Sequence, residues 1–190
     1  MMLLDPFLCL LFWLGVLVGA FWFCVSVYVL IMYRRAEAAM TRPPDFVIGS
    51  KSDPYMRRWW LIPRNRWFNT YLHHVLRSDD DRALHDHPWM NISVVIAGGY
   101  WEIVPLWRPA VFEPVPPTER RWRGPGSVVF RRPSSAHRLD VEPGKPCGSM
   151  FITGPNVRDW GFWCPQGWKH WKKFVAADNA GEIGPGRGEG

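Results

Sequence analysis

The chain has 190 residues, 21% of them charged and 47% hydrophobic, which excludes wholesale disorder and fits one globular domain with a small addition. Its 18 Pro and 17 Gly are scattered without period, which excludes collagen-like and coiled-coil chains. The net charge of +6 is unevenly placed: all Lys and Arg lie after Tyr33, and no charged residue occurs between residues 6 and 33.

Residues 7–32 are uncharged and mostly Leu, Val, Phe, Trp and Cys. A span needs about 20 such residues, so this segment predicts one transmembrane helix. A cleaved signal peptide would start with basic residues and have a shorter apolar run. Arg34 and Arg35 follow the segment and mark its cytoplasmic side. The expected topology is a single-pass membrane protein with the N-terminus outside and the following domain in the cytoplasm. Gly15-xxx-Gly19 is a homodimer signal in such a helix. Cys9 and Cys24 fall in the span, and Cys147 and Cys164 form no CxxC; a cytosolic domain would keep both reduced.

Residues 33–58 read as a basic juxtamembrane linker, broken by Pro43-Pro44 and Gly49-Ser50. Its Arg42, Lys51, Arg57 and Arg58 would each gain about 1 kcal/mol against anionic lipid, making membrane lipid an expected partner. Nucleic acid is not an expected partner, because acids are interleaved and no module signature occurs. Residues 176–190 read as a disordered Gly-rich tail.

Residues 59–175 read as one β domain. Short apolar runs recur between turn residues at 67–76, 91–97, 100–106, 120–122, 127–130, 137–141, 149–153 and 160–164. Gly98-Gly99 predicts a tight hairpin and 142–146 another turn. About eight strands in such a length predict an all-β sandwich or jelly roll. The many tryptophans read as packing, and 164–171 as an aromatic flap that includes His170.

His85-Asp86-His87 sits just before a predicted strand. In an extended chain, residues i and i+2 share a face, so His85 and His87 can hold one ion with Asp86 turned away. His137 opens another strand and supplies a third ligand. Three imidazoles leave open positions, which suits Fe(II), Mn or Zn. His73 and His74 are adjacent on a strand, so one of them points inward as a hydrogen-bonded core residue or an acid/base group.

This stretch resembles the cupin superfamily. The family's first motif, G-x5-H-x-H-x3,4-E-x6-G, is approached by Asp79, His85, His87, Asn91 and Gly98, with Asn91 in place of the Glu ligand. The second, G-x5-P-x-G-x2-H-x3-N, is approached by Gly126, Pro133, Ser135, His137 and Val141. HDHPW, GGYWE and DWGFWCPQGWKHW are similar to small uncharacterised cupin-like proteins. The resemblance implies a cupin-type jelly roll, or double-stranded β-helix, and a metal site on His85, His87 and His137. Asn91 is then a weak oxygen ligand or an ordinary strand residue. A three-His site is similar to that of the superfamily's thiol dioxygenases, which use Fe(II) and O2. The implied activity is that of a mononuclear non-haem iron dioxygenase acting on a small carboxylate or thiol. The alternatives are a metal-free sugar-type isomerase or epimerase, with His as base and Tyr as acid, and a non-catalytic binding or scaffold protein.

Arg77, Arg82, Arg131, Arg132 and Arg138 flank the histidines and are candidates for binding a substrate carboxylate. A desolvated guanidinium needs a counter-charge, from a substrate or from an internal acid such as Glu102.

Overall fold

The computed structural model describes residues 6–50, 52–79, 83–109, 116–164 and 167–175. Arg82 and residues 176–190, and with them the expectations placed on them, lie outside the described residues. The chain divides into two compact units, Met1–Arg42 and Pro43–Gly190.

The first unit is one helix, α1 (Pro6–Met40), of 35 residues and thus roughly 50 Å long. Its most apolar stretch has a mean hydropathy of 2.5 and no buried residue, so by length and composition it could cross a membrane. Residues 33–40, expected in the linker, continue this helix. Ala36, Glu37, Ala38 and Ala39 carry no helix breaker, and Pro43-Pro44 comes only afterwards.

Among its described residues the second unit is all-β apart from one short turn of helix. Its strands are β1 (Phe46–Gly49), β2 (Pro54–Trp60), β3 (Asn69–Val75), β4 (Leu84–His85), β5 (Asn91–Ala97), β6 (Tyr100–Pro105), β7 (Thr118–Arg123), β8 (Val128–Arg131), β9 (Arg138–Asp140), β10 (Cys147–Thr153), β11 (Gly161–Cys164) and β12 (Gly167–His170). The helical turn α2 (Trp171–Phe174) follows. The strands expected from apolar runs are present. β1 and β2 replace much of the expected linker, so the domain starts earlier than residue 59.

One sheet has the order β1-β2-β3-β10-β5-β8. Two three-stranded sheets, β12-β11-β4 and β7-β6-β9, face it, and all described pairings are antiparallel. A bridge between His85 and His137 joins the two smaller sheets. The result is a two-sheet β sandwich consistent with a jelly roll. Strand β5 alternates, with Asn91, Ser93 and Val95 buried, as a strand with one face toward an interior requires. Strand β7 is mostly exposed and carries Glu119, Arg120, Arg121 and Arg123, charges that blunt a sheet edge.

The Gly98-Gly99 turn is not a hairpin within one sheet. Strand β5 pairs with β10 and β8, whereas β6 pairs with β7 and β9, so the turn carries the chain from one sheet to the other. Gly98 has φ +67°, and a Cβ there would collide with the Pro146 carbonyl. A hydrophobic core of Met56, Val75, Val95, Tyr100, Val141 and Cys147 fills one part of the sandwich. None of the four cysteines is joined in a disulfide.

Candidate metal centre

A cavity of about 80 Å³ lies between the sheets. One wall is built by Tyr55, Met56 and Arg58 of β2, His73 and Val75 of β3, Ser93 of β5, Arg131 of β8, and Ser149 and Phe151 of β10. The other carries His85, Tyr100, His137 and Leu139; His87 and Trp89 complete the lining.

The donor nitrogens of His85, His87 and His137 lie within 4.8 Å of one another. The Nε2 atoms of His87 and His137 are 3.0 Å apart. With metal–nitrogen bonds of roughly 2.1 Å, neighbouring ligands of one ion stand about 3.0–3.4 Å apart, so this pair fits a shared ion. The Nδ1 of His137 donates to Glu102 Oε1 at 3.1 Å, which leaves its Nε2 lone pair facing His87. Burial, then the charge of Arg131, pushes His137 down to about 3 against the opposing Glu102 hydrogen bond. Burial, then His85 and His137, drives His87 well below its usual value. Both rings are therefore neutral near pH 7, the form that ligates a metal.

Glu102 ties this centre together. Its Oε1 accepts from Arg131 Nε at 2.7 Å, and its Oε2 accepts from Arg123 Nε at 2.7 Å. Burial alone would raise the carboxyl; the His137 hydrogen bond and the Arg131 charge outweigh it and hold it well below the usual carboxylate range. The counter-charge of Arg131 is thus the internal acid. Arg131 also donates to Asn91 Oδ1 at 3.4 Å and Tyr100 Oη at 3.3 Å. Asn91 is buried and directs its oxygen to Arg131, as a structural strand residue would.

Asp86 is turned away, as the His-x-His spacing requires. Its carboxylate accepts from Gly161 N at 2.8 Å and Trp168 Nε1 at 3.2 Å, and pairs with Arg158 at 2.8 Å. It thereby pins the β11–β12 hairpin beside the segment that carries His85 and His87. His170, in the aromatic flap, accepts from Lys172 N and caps α2. His73 is the inward histidine of its pair, and His74 is half-buried.

The candidate arginines separate. Among those described, only Arg131 lines the cavity. Arg77 is bound to Asp53 at 3.0 Å, and Arg138 is half-buried on β9 outside the lining. Arg132 is exposed and, with Arg108, Arg121, Arg123 and Arg131, lines a wider cleft of about 440 Å³. The arginine missed from sequence is Arg58, read as a lipid-facing linker residue. In the extended Pro54–Trp60 segment, Arg57 and Arg58 must face opposite sides, and Arg58 takes the inner one.

No family model and no curated protein matches the chain. Similar solved structures include a cupin-like protein from Thermotoga maritima, with 16% identity over 64% of this chain and 85% of that one and a TM-score of 0.44. The chain is similar to cupin-like proteins. An uncharacterised Klebsiella pneumoniae protein with a double-stranded β-helix domain shows 13% identity over 62% of this chain and 90% of that one, with a TM-score of 0.43. Fe(II) HppE shows 12% identity over 57% of this chain and 54% of that one, with a TM-score of 0.43. These are likenesses of fold alone, and the centre stands on the chain's own geometry.

Proposed function

We propose that this is a membrane-anchored, cupin-like metalloprotein that holds one divalent ion on His85, His87 and His137 and uses it, as Fe(II), to oxygenate a small carboxylate or thiol. The observation that carries the metal reading is the 3.0 Å approach of two imidazole Nε2 atoms, one of them held in its ligating tautomer by Glu102. Bound Fe(II) would supply open positions at which a small ligand and O2 meet. The chain's own residues do the rest. Glu102 orients His137 and neutralises Arg131, while the apolar faces of Phe151 and Trp89 limit water in the cavity.

The test is metal content of the full-length chain purified under low oxygen. About one divalent ion per chain supports the reading. His87→Ala retaining full occupancy overturns the ligand assignment.

Tyr55 and Tyr100 also line the cavity, and burial, then Asp79, raises Tyr55 well above its usual value, so it stays a neutral acid. That arrangement supports the metal-free acid/base alternative, which predicts turnover undiminished by a chelator.

The anchoring part of the proposal rests on the length and hydropathy of α1 and on Arg34 and Arg35 at its C-terminal side. The β domain would then lie in the cytoplasm. Release of the chain by alkaline extraction contradicts the anchor, and a reporter fused after Val175 that works only outside the cytoplasm contradicts the orientation.

A further inference from the structure

We infer that Arg58 is the anion anchor of the histidine cavity, and that the ligand is a small molecule with a carboxylate at one end and a metal donor at the other. This rests on the metal reading above and names the end of the ligand which that reading leaves open.

Arg58 lines the same cavity as the three histidines. Its Nε donates to His73 Nε2 at 2.9 Å, and its guanidinium lies 5.0 Å from the centre of the Tyr71 ring. Neither neighbour carries a negative charge. Burial, then the charge of Arg58 itself, drives His73 well below its usual value, so this ring is a neutral acceptor. Among the described residues no carboxylate pairs with Arg58, in contrast to Arg131 with Glu102, Arg158 with Asp86 and Arg77 with Asp53. Arg58 is half-buried, and burial is the first cause that depresses it, so its guanidinium is partly stripped of water without gaining a counter-charge.

The two Nη groups make no hydrogen bond to a described residue, so the forked end of the side chain is available. That fork matches a carboxylate in bidentate geometry. The contact to His73 fixes the guanidinium in the wall through Nε alone. Arg58, His85, His87 and His137 line one cavity, which places the cation and the proposed ion around one space. A cavity of about 80 Å³ restricts the occupant to a small molecule.

The test uses the full-length chain in detergent micelles, titrated first with Co(II) and then, by calorimetry, with mercaptoacetate and with mercaptoacetamide. The expected result is that the acid binds roughly ten- to a hundredfold tighter than the amide. Arg58→Met should abolish that preference while cobalt stoichiometry is unchanged, and Arg58→Lys should restore part of it. Equal affinity for acid and amide, a preference surviving in Arg58→Met, or no binding of either overturns the anchor. Cobalt uptake reports separately on the metal reading. An acid preference abolished by Arg58→Met in a chain that takes up no cobalt upholds the anchor and removes the metal end. If Arg58→Met does not fold, Arg58→Lys binding acid and amide as the native chain does overturns the inference.

Discussion

His85 and His137 exchange both backbone hydrogen bonds, His85 N to His137 O at 2.8 Å and His137 N to His85 O at 2.9 Å. This pair joins the two smaller sheets, and its rings are 4.7 Å apart. Directly opposed residues of an antiparallel pair project to the same face, so the seam itself sets two of the three imidazoles side by side. His87, two residues on, completes the set. Two of the three donors are thus positioned by main-chain pairing, while His87 lies just past the end of β4 with its N–H donated to Pro133 O at 3.1 Å.

Glu102→Gln should weaken both the centre and the fold. Gln keeps the shape but leaves Arg131 and Arg123 without their carboxylate and weakens the hold on His137 Nδ1. Loss of one partner of a buried ion pair costs about 3–5 kcal/mol. Loss of such an outer carboxylate lowers metal affinity roughly ten- to a hundredfold. Denaturant unfolding and cobalt titration of the variant check the two effects; native values in both would show that Glu102 does not support the centre.

Much of this was legible in the residues. His85 and His87 fall on one face by strand periodicity alone, whereas the requirement for a counter-charge left a substrate carboxylate and an internal acid such as Glu102 both open, and only the packing of β6 against β8 pairs Glu102 with Arg131. Arg58 was hidden because Pro43-Pro44 and Gly49 suggest an irregular segment, and only pairing with β3 makes Pro54–Trp60 a strand with an inner face. The Gly98 turn was recognisable as a turn, but turn chemistry does not say which sheet receives the next strand. Asp86 was readable as pointing away from the ion, yet its partners Gly161 and Trp168 lie more than seventy residues downstream.

The position of β2 sets a boundary for the domain. A fragment starting at Trp59 loses β1, most of β2 and Arg58, and exposes the edge of β3. A fragment starting at Pro43 retains the whole sheet. The expected outcome is a soluble product with a cooperative unfolding transition for 43–175 and an aggregated or non-cooperative one for 59–175. Equal behaviour of the two would show that β1 and β2 are dispensable.

His73 should make the metal-free chain sensitive to acid. Burial, then Arg58, holds its folded value well below 6.5, whereas an unfolded histidine titrates near that value. Stability from this residue is therefore intact above about pH 6.5 and is lost as the pH falls toward the folded value, because the unfolded chain takes up the proton first. His73→Gln retains an acceptor for Arg58 and cannot titrate. Unfolding free energy measured from pH 7 to 5 should fall less steeply in the variant, by about one proton, or about 1.4 kcal/mol per pH unit at most. Parallel slopes for the two proteins would show that His73 does not carry this dependence.

Asp86→Asn should detach the aromatic hairpin. The carboxylate is fully buried and accepts from Gly161 N and Trp168 Nε1 while neutralising Arg158. Asn presents one acceptor oxygen and an NH2 group, so one of the two donors meets another donor and Arg158 loses its partner. The cost should approach the about 3–5 kcal/mol of a broken buried pair, softened by the partial exposure of Arg158. Hydrogen exchange should rise first at Gly161 to Cys164 and Gly167 to His170, because only Phe162 and Trp163 tie this hairpin to β4 by strand pairing. Since Asp86 sits between the two ligands of the His-x-His pair, cobalt affinity should fall with it even though Asp86 touches no ion. Unfolding and exchange measured on the same sample separate the cases: loss of stability without faster exchange in β11 and β12 would mean that Asp86 supports the sandwich elsewhere.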